Sequence, residues 1–141
     1  MTDFSLTWDA EHGNADLSYT TGDLSLDGGL ETAVLLSLFT GDADGWWGDA
    51  FPIVSGDVFG SELYELARTT SSATTVRRAQ EIAEAALAWL IEDGVASSVS
   101  AVVTGAVPVL NYAISIQRPS AAPAVYRYSY NWQAQELRHA V

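Results

Sequence analysis

The chain contains no cysteine and no lysine, and its first 67 residues hold no arginine either. Without cysteine there is no disulfide, no thiolate metal site and no thiol nucleophile. No stretch of about 18 uninterrupted apolar residues exists, the length a membrane-spanning helix needs. The longest apolar run, Val95 to Leu110, is broken by Ser97, Ser98, Gly105 and Pro108. Met1-Thr2-Asp3-Phe4 offers neither a basic region nor an apolar signal core, so no secretory route is expected and the cytoplasm is the default compartment. Also missing are a Gly-x-Ser-x-Gly elbow, a phosphate loop and a dinucleotide fingerprint, which removes support for covalent serine catalysis and nucleotide binding.

What is present suits one folded domain over 1–141. The 141 residues are 48% apolar and 11% aromatic, with 17% charged, enough apolar surface to offset the entropy of ordering. Charge is distributed very unevenly. Residues 1–67 carry 13 Asp and Glu against no Lys or Arg, while the remaining 74 carry 5 acids and all 6 arginines, so the two parts bear −13 and +1. Nucleic-acid affinity is built from cations that displace counterions from phosphates, so direct DNA or RNA binding is disfavoured. The acidic part reads either as a solvated surface that aids solubility or as a patch that steers a basic protein partner.

Hydrophobic patterning predicts an α+β chain with short N-terminal strands, two to three helices and a C-terminal three-stranded antiparallel meander packed on the helices. Phe4-Ser5-Leu6-Thr7-Trp8 alternates with period two, as do Leu17-Ser18-Tyr19 and Leu24-Ser25-Leu26 around a Thr21-Gly22-Asp23 turn. Asp9 to Asn14 supplies turn residues. From Leu30 to Thr40 apolar residues fall on most sides, which predicts a buried helix ended by Gly41. Ser61 is placed to cap a short helix with Leu63, Leu66 and Ala67 inward. A further helix is expected from Thr74 to Asp93, its stripe of Val76, Ala79, Ala83, Ala86, Leu87 and Leu90 stopped at Asp93-Gly94. Strands follow at Val99–Val103, Val109–Ile116 and Val125–Trp132, with turns at Gly105–Pro108 and Arg118–Pro123. In the last strand Tyr126, Tyr128, Tyr130 and Trp132 share one face. That face fits packing on helices, or alternatively a platform for a sugar or base. No internal repeat or low-complexity tract is apparent.

Residues suited to catalysis are few. His12 lies in a turn and His139 in the tail, both better read as surface histidines than as general bases. Asp42-Ala43-Asp44-Gly45 with Asp49 is the best calcium candidate, but the glycine comes too early and Ile53 stands where an EF-hand needs its bidentate Glu. A carboxylate pair such as Glu62 with Asp49 can be nominated for glycoside hydrolysis, yet among 18 acids the choice is arbitrary. No metal, cofactor or catalytic residue is therefore assigned, and the chain is expected not to be an enzyme.

The distinctive segment is Gly45-Trp46-Trp47-Gly48-Asp49, inside a Gly- and Asp-rich loop from Gly41 to Gly60 that also holds Phe51 and Phe59. Aromatics on such a loop pack either on their own domain or on a neighbour. The candidate partner-binding residues are Trp46, Trp47, Asp49 and Phe51 on this loop, with Tyr128 and Tyr130 on the meander. Three stretches carry a resemblance: Phe4–Trp8 with Ala15-Asp16-Leu17, the run Gly29–Thr40, and Gly45–Asp49 leading to Gly60–Arg68. It continues through Glu84–Leu90 and Asp93-Gly94. Together these resemble the small baseplate wedge family of Mu-like phages, related to the T-even sheath initiator. The resemblance implies a structural subunit of a contractile-tail baseplate, placed in the virion and assembled in the host cytoplasm. Its implied partners are a larger wedge protein and the tail sheath protein, with the central hub or spike proteins as further neighbours. It implies that the chain docks on the wedge and initiates sheath assembly, for which an edge strand of the meander is the natural acceptor. The wider superfamily docks through a Gly-Glu-Arg-type element, whereas the corresponding loop here has no arginine. Alternative readings are a peptidoglycan-active, lysozyme-like enzyme and a free-standing protein-binding module.

Overall fold

The computed structural model describes residues 3–9, 14–27, 29–41, 44–45, 47–53, 55, 60–134 and 136–139. Its fold is α+β, as the patterning predicts: short N-terminal strands, then helices, then an antiparallel sheet packed on them.

Six very short strands open the chain: β1 (Asp3–Phe4), β2 (Leu6–Asp9), β3 (Asn14–Leu17), β4 (Tyr19–Thr20), β5 (Asp23–Leu24) and β6 (Leu26–Asp27). They pair antiparallel as β2 with β3, β4 with β5, and β1 with β6, giving three small arms. The arms meet at Ser5, Ser18 and Ser25, whose backbones close a ring. The Ser5 N–H donates to the Ser25 carbonyl at 2.8 Å, the Ser25 N–H to the Ser18 carbonyl at 2.8 Å, and the Ser18 N–H to the Ser5 carbonyl at 2.9 Å. At the tip of one arm Thr21 and Gly22 both take positive φ, +51° and +84°, the geometry of a two-residue hairpin turn.

This platform reveals a short repeat that inspection of the sequence misses. Each junction serine sits in an Asp-apolar-Ser-apolar unit: Asp3-Phe4-Ser5-Leu6, Asp16-Leu17-Ser18-Tyr19 and Asp23-Leu24-Ser25-Leu26. In every copy the Asp Oδ1 accepts the next residue's N–H at 2.8 Å. Unequal spacing between copies hides the pattern from any search at a fixed period.

Helix α1 (Glu31–Phe39) follows, one residue shorter at each end than predicted. Its entry is held by Asp27, whose Oδ1 accepts the Gly29 N–H and whose Oδ2 accepts the Thr32 N–H, both at 2.8 Å. A carboxylate at a helix start satisfies orphan donors and complements the dipole. Val34, Leu35 and Leu38 are buried, as the all-round apolar pattern requires. Downstream, the short helix at Leu63–Arg68 is of the 3-10 type, and Ser61 Oγ accepts the Leu63 N–H at 3.2 Å.

The helix expected over Thr74–Asp93 is broken. Helix α2 (Ala73–Ala86) starts at Ser72, whose side chain accepts the Thr75 N–H, and a tight turn separates it from α3 (Trp89–Glu92). The bonds through the turn run three residues back, from Leu87 N–H to Glu84, Ala88 to Ala85, Leu90 to Leu87 and Ile91 to Ala88. This tightening keeps both Leu87 and Leu90 fully buried and lets Trp89 Nε1 donate to Ser37 Oγ on α1 at 3.1 Å. No Gly or Pro marks the break, so the apolar stripe alone reads as continuous.

The C-terminal sheet has strands β7 (Ser98–Ala106), β8 (Val109–Gln117), β9 (Ala124–Asn131) and β10 (Glu136–His139), in spatial order β10-β9-β8-β7. The predicted three-stranded meander is thus extended by β10, which pairs Leu137 with Tyr130 and His139 with Tyr128. With one apolar residue in four, that strand has too little alternation to announce itself. One sheet face, including Ala101, Val103, Leu110, Tyr112, Ile114, Ile116, Tyr128 and Tyr130, is buried, and α2 lies against β7 with Ala79 and Ala83 inward. The small alanines permit that close approach.

Phe39 ties α1 to the sheet. Its ring stacks on Tyr130, with centroids 5.0 Å apart, and meets Tyr112 and Tyr128 edge-on, each at 5.5 Å. Trp132 closes the cluster, donating from Nε1 to Tyr112 Oη at 3.1 Å. Burial pushes the Tyr112, Tyr128 and Tyr130 phenols up, so all three stay protonated in ordinary buffers. Tyr128 Oη is buried without a hydrogen-bond partner among the described residues. Phe39→Ala should destabilise the fold by about 3 kcal/mol, read as a lower urea midpoint at unchanged slope. Tyr112→Phe should cost about 1–3 kcal/mol because it strands the Trp132 N–H, whereas Tyr128→Phe should stay within about 0.5 kcal/mol or stabilise. Equal losses in parallel denaturation curves would refute that contrast.

Candidate partner-binding surface

The segment after α1 leaves the body and returns to it through a pinched neck. The Ser61 N–H donates to the Thr40 carbonyl at 2.9 Å, and Ser61 Oγ donates to the Leu38 carbonyl at 2.6 Å. Gly41 and Gly60 flank the neck with φ of +112° and +87°. A Cβ on Gly60 would stand 2.5 Å from the Thr40 carbonyl oxygen, and one on Gly41 would stand 2.5 Å from that of Ser61. Only glycine allows the two backbones to approach this closely, and the contact joins the ends of the loop as in an Ω-loop. The Gly41 stop read from sequence is therefore correct, but its closest constraint is the neck rather than the helix end.

Within the loop, Trp47–Ala50 forms a single 3-10 turn closed by the Phe51 N–H on the Gly48 carbonyl at 2.9 Å, with Gly48 buried. The turn brings three of the nominated residues together. The Trp47 side chain is 77% exposed and that of Phe51 is 78% exposed, with Asp49 half-buried between them in sequence. Ile53, fully exposed, extends the same apolar surface and was not nominated, because a lone aliphatic after Pro52 gives no sequence signal. Trp46, Asp42 and Phe59 lie outside the described residues.

Tyr128 and Tyr130 are placed elsewhere. Both are inside the chain's own core beneath Phe39, with Tyr128 fully buried and Tyr130 nearly so. Among the described residues they connect to the loop through Phe39 and the adjoining Thr40-Gly41 of the neck. Of the two readings of the aromatic face, packing is the one the coordinates display. Tyr126, at its margin, accepts the Leu30 N–H at 3.1 Å and so helps seat the start of α1.

The sheet offers two outer edges. On β7, the Ala101 N–H points away from β8 and is taken by Glu84 Oε1 of α2 at 3.0 Å. Because outward groups alternate along an antiparallel strand, Val103 and Gly105 turn their main-chain groups to the same side. The outer edge of β10 is only four residues long and charged, with Arg138 paired to Glu136 at 2.6 Å and His139 Nδ1 set 3.2 Å from Glu31.

Among the described residues no group of three or more His, Asp or Glu converges as metal ligands would. His12 lies outside the described residues, and His139 contacts the exposed Glu31 and sets its ring 5.5 Å from that of Tyr128. A groove of about 580 Å³ runs between the neck and α2, floored by Ile82, Ala86 and Trp89 and rimmed by Glu62, Glu81 and Glu92. Arg78 at its side is held by Glu65 at 2.9 Å, which raises the guanidinium pKa further. No helix among the described residues is long and apolar enough to cross a membrane.

The chain belongs to the phage protein GP46 family, which matches residues 30–123, from the start of α1 to the eve of β9. It is 35% identical over 137 residues to the Mu-like prophage FluMu protein gp46 of Haemophilus influenzae, covering 94% of this chain and 98% of that protein. It is also 33% identical over 117 residues to the baseplate protein gp46 of Escherichia phage Mu, covering 71% of this chain and 75% of that protein. No solved structure matches it.

The neck predicts a clear substitution effect. Gly60→Ala should destabilise by about 1–3 kcal/mol more than Gly22→Ala, because its Cβ meets the Thr40 carbonyl in addition to the strain at positive φ that both share, and should open the loop to protease. Thermal unfolding and limited proteolysis check this, with Gly22→Ala as the control, since Gly22 has positive φ but open space around its Cβ.

Proposed function

We propose that this chain is a structural subunit of a phage tail baseplate, a wedge component that docks on a larger wedge protein and initiates sheath assembly. The observation that carries the docking half is the exposure of Trp47, Phe51 and Ile53 on a loop whose ends are locked. Large apolar groups held rigidly in solvent are what interface anchors look like before their partner arrives. The baseplate gp46 of phage Mu, a relative over most of its length, supports the setting. Asp49 then tunes the rim of the contact, and Tyr128 and Tyr130 serve it from beneath by holding Phe39 and the neck in place.

For initiation, the outer edge of β7 is the acceptor we favour. It belongs to the nine-residue end strand of the sheet, and beyond the Glu84-capped Ala101 its Val103–Gly105 stretch faces outward. A sheath segment adding there would gain main-chain hydrogen bonds. The peptidoglycan-active reading has no residue pair in its favour, and we do not pursue it.

Trp47→Ala combined with Phe51→Ala should cost no more than about 1 kcal/mol in thermal unfolding, since both residues are largely exposed. Binding to the larger wedge protein should fall at least about thirtyfold, as loss of an interface anchor does. Co-purification of wedge complexes with wild-type and variant chain measures this, and undiminished recovery of the folded double variant would sink the docking reading. Sheath polymerising at its usual rate on baseplates that lack the chain would sink initiation.

A further inference from the structure

We infer that the three-armed N-terminal platform is a second docking surface, separate from the 41–60 loop, and that its occupant is an apolar protein surface bordered by Lys or Arg. The inference rests on the reading of the chain as an assembly subunit, but not on which protein the loop contacts.

The repeat places its apolar residues in register. Across the arms Phe4 pairs with Leu26, Leu6 with Leu17, and Tyr19 with Leu24. Because each serine separates two apolar residues along an extended chain, these six side chains alternate with the serines and share one side of the junction. Leu6 packs against the core, and Thr32 Oγ1 donates to the Phe4 carbonyl at 3.0 Å, which fixes the platform to α1. The rest of that side is open. Tyr19 is 67% exposed, Leu26 62%, Phe4 47% and Leu17 37%. A structure of such short strands gains little from burying its own surface, so most of its apolar face is left for something else to cover.

Charge identifies what covers it. Residues 3–27 hold Asp3, Asp9, Glu11, Asp16, Asp23 and Asp27 and neither Lys nor Arg. Asp3 stands directly across from Asp27, a cross-strand arrangement of like charges that costs stability unless a cation comes near. A second copy of this chain is a poor occupant. Its net charge is −12, and of its six arginines Arg77, Arg78 and Arg138 are already paired with Glu81, Glu65 and Glu136. Nucleic acid and anionic membrane are repelled by the same field. A different protein, apolar at the centre and basic at the rim, matches both features.

The serine ring makes the surface preformed. Each serine contributes one donor and one acceptor to the ring, so displacing one serine breaks two of its three bonds. The partner therefore meets a shape already ordered, which lowers the cost of association.

The test places a photo-crosslinking phenylalanine analogue at position 19 of the full chain, incorporated into assembled tail particles, with the same analogue at position 51 as a comparison. Irradiation followed by mass spectrometry should join position 19 to a peptide of a different protein with Lys or Arg beside the attachment point. Asp16→Asn with Asp23→Asn, which keeps a side-chain oxygen for each local hydrogen bond, should lower that crosslink about tenfold at low salt while leaving the position 51 crosslink unchanged. Thermal unfolding of the isolated variant confirms that the platform survives. Crosslinks only within the chain, to a second copy, to nucleic acid or to an acidic segment would overturn the inference. So would an Asn variant that crosslinks as wild type does. A chain absent from purified particles would instead refute the baseplate reading, and that outcome is told apart by probing the particles for the chain itself.

Discussion

Phe39 inserted among Tyr112, Tyr128, Tyr130 and Trp132 is the contact on which the arrangement depends. Aromatic pairs in stacked and edge-on geometry contribute beyond the area they bury, and here one ring is shared by neighbours from two strands and the residue beyond. The ring terminates α1, so the same contact fixes where the helix stops and where the loop departs. Thr40 and Gly41, the next two residues, form one side of the neck, and Ser61 and Gly60 form the other. Core packing and loop position are thus one mechanical unit. The hydrogen bond from Trp132 Nε1 to Tyr112 Oη adds direction to a largely apolar contact.

Around this cluster, polar groups are used sparingly and at element ends. Asp27 seats α1, Ser72 starts α2, Ser61 bridges the neck and Glu84 caps the edge of β7. The ion pairs Arg77–Glu81 and Arg78–Glu65 are largely exposed and contribute little to stability. The strongly acidic N-terminal part therefore gains little from internal pairing, and its charge acts mainly on whatever approaches it.

Elements with a strong periodic signature were legible in the sequence. The all-round apolar run at Leu30–Phe39, the alternation through β7, β8 and β9, and the Gly94 stop all follow directly from residue spacing. The break at Leu87 was not, because a turn of tighter pitch keeps the same residues inward and leaves the stripe intact. Strand β10 was hidden by its charged residues, and the platform by copies of a four-residue unit at uneven intervals. For the candidate surface, tandem tryptophans between glycines pointed to a loop on which Trp47 and Phe51 are exposed. Patterning could not tell which aromatics face out, since Trp47 and Tyr130 carry the same apolar weight and differ only in what the fold places above them. The family resemblance drawn from the Gly29–Thr40 and Gly45–Asp49 stretches is confirmed by membership of the GP46 family.

The glycine neck has a consequence for how such a protein diversifies. The backbone contacts at Thr40, Gly41, Gly60 and Ser61 fasten the loop ends to each other, so the spacing between the end of α1 and the helix at Leu63–Arg68 is set at the neck and not by the length of chain between. Lengthening a closed loop costs only a slowly growing entropy. Insertions inside the neck are therefore cheap for the fold, provided the two glycines stay.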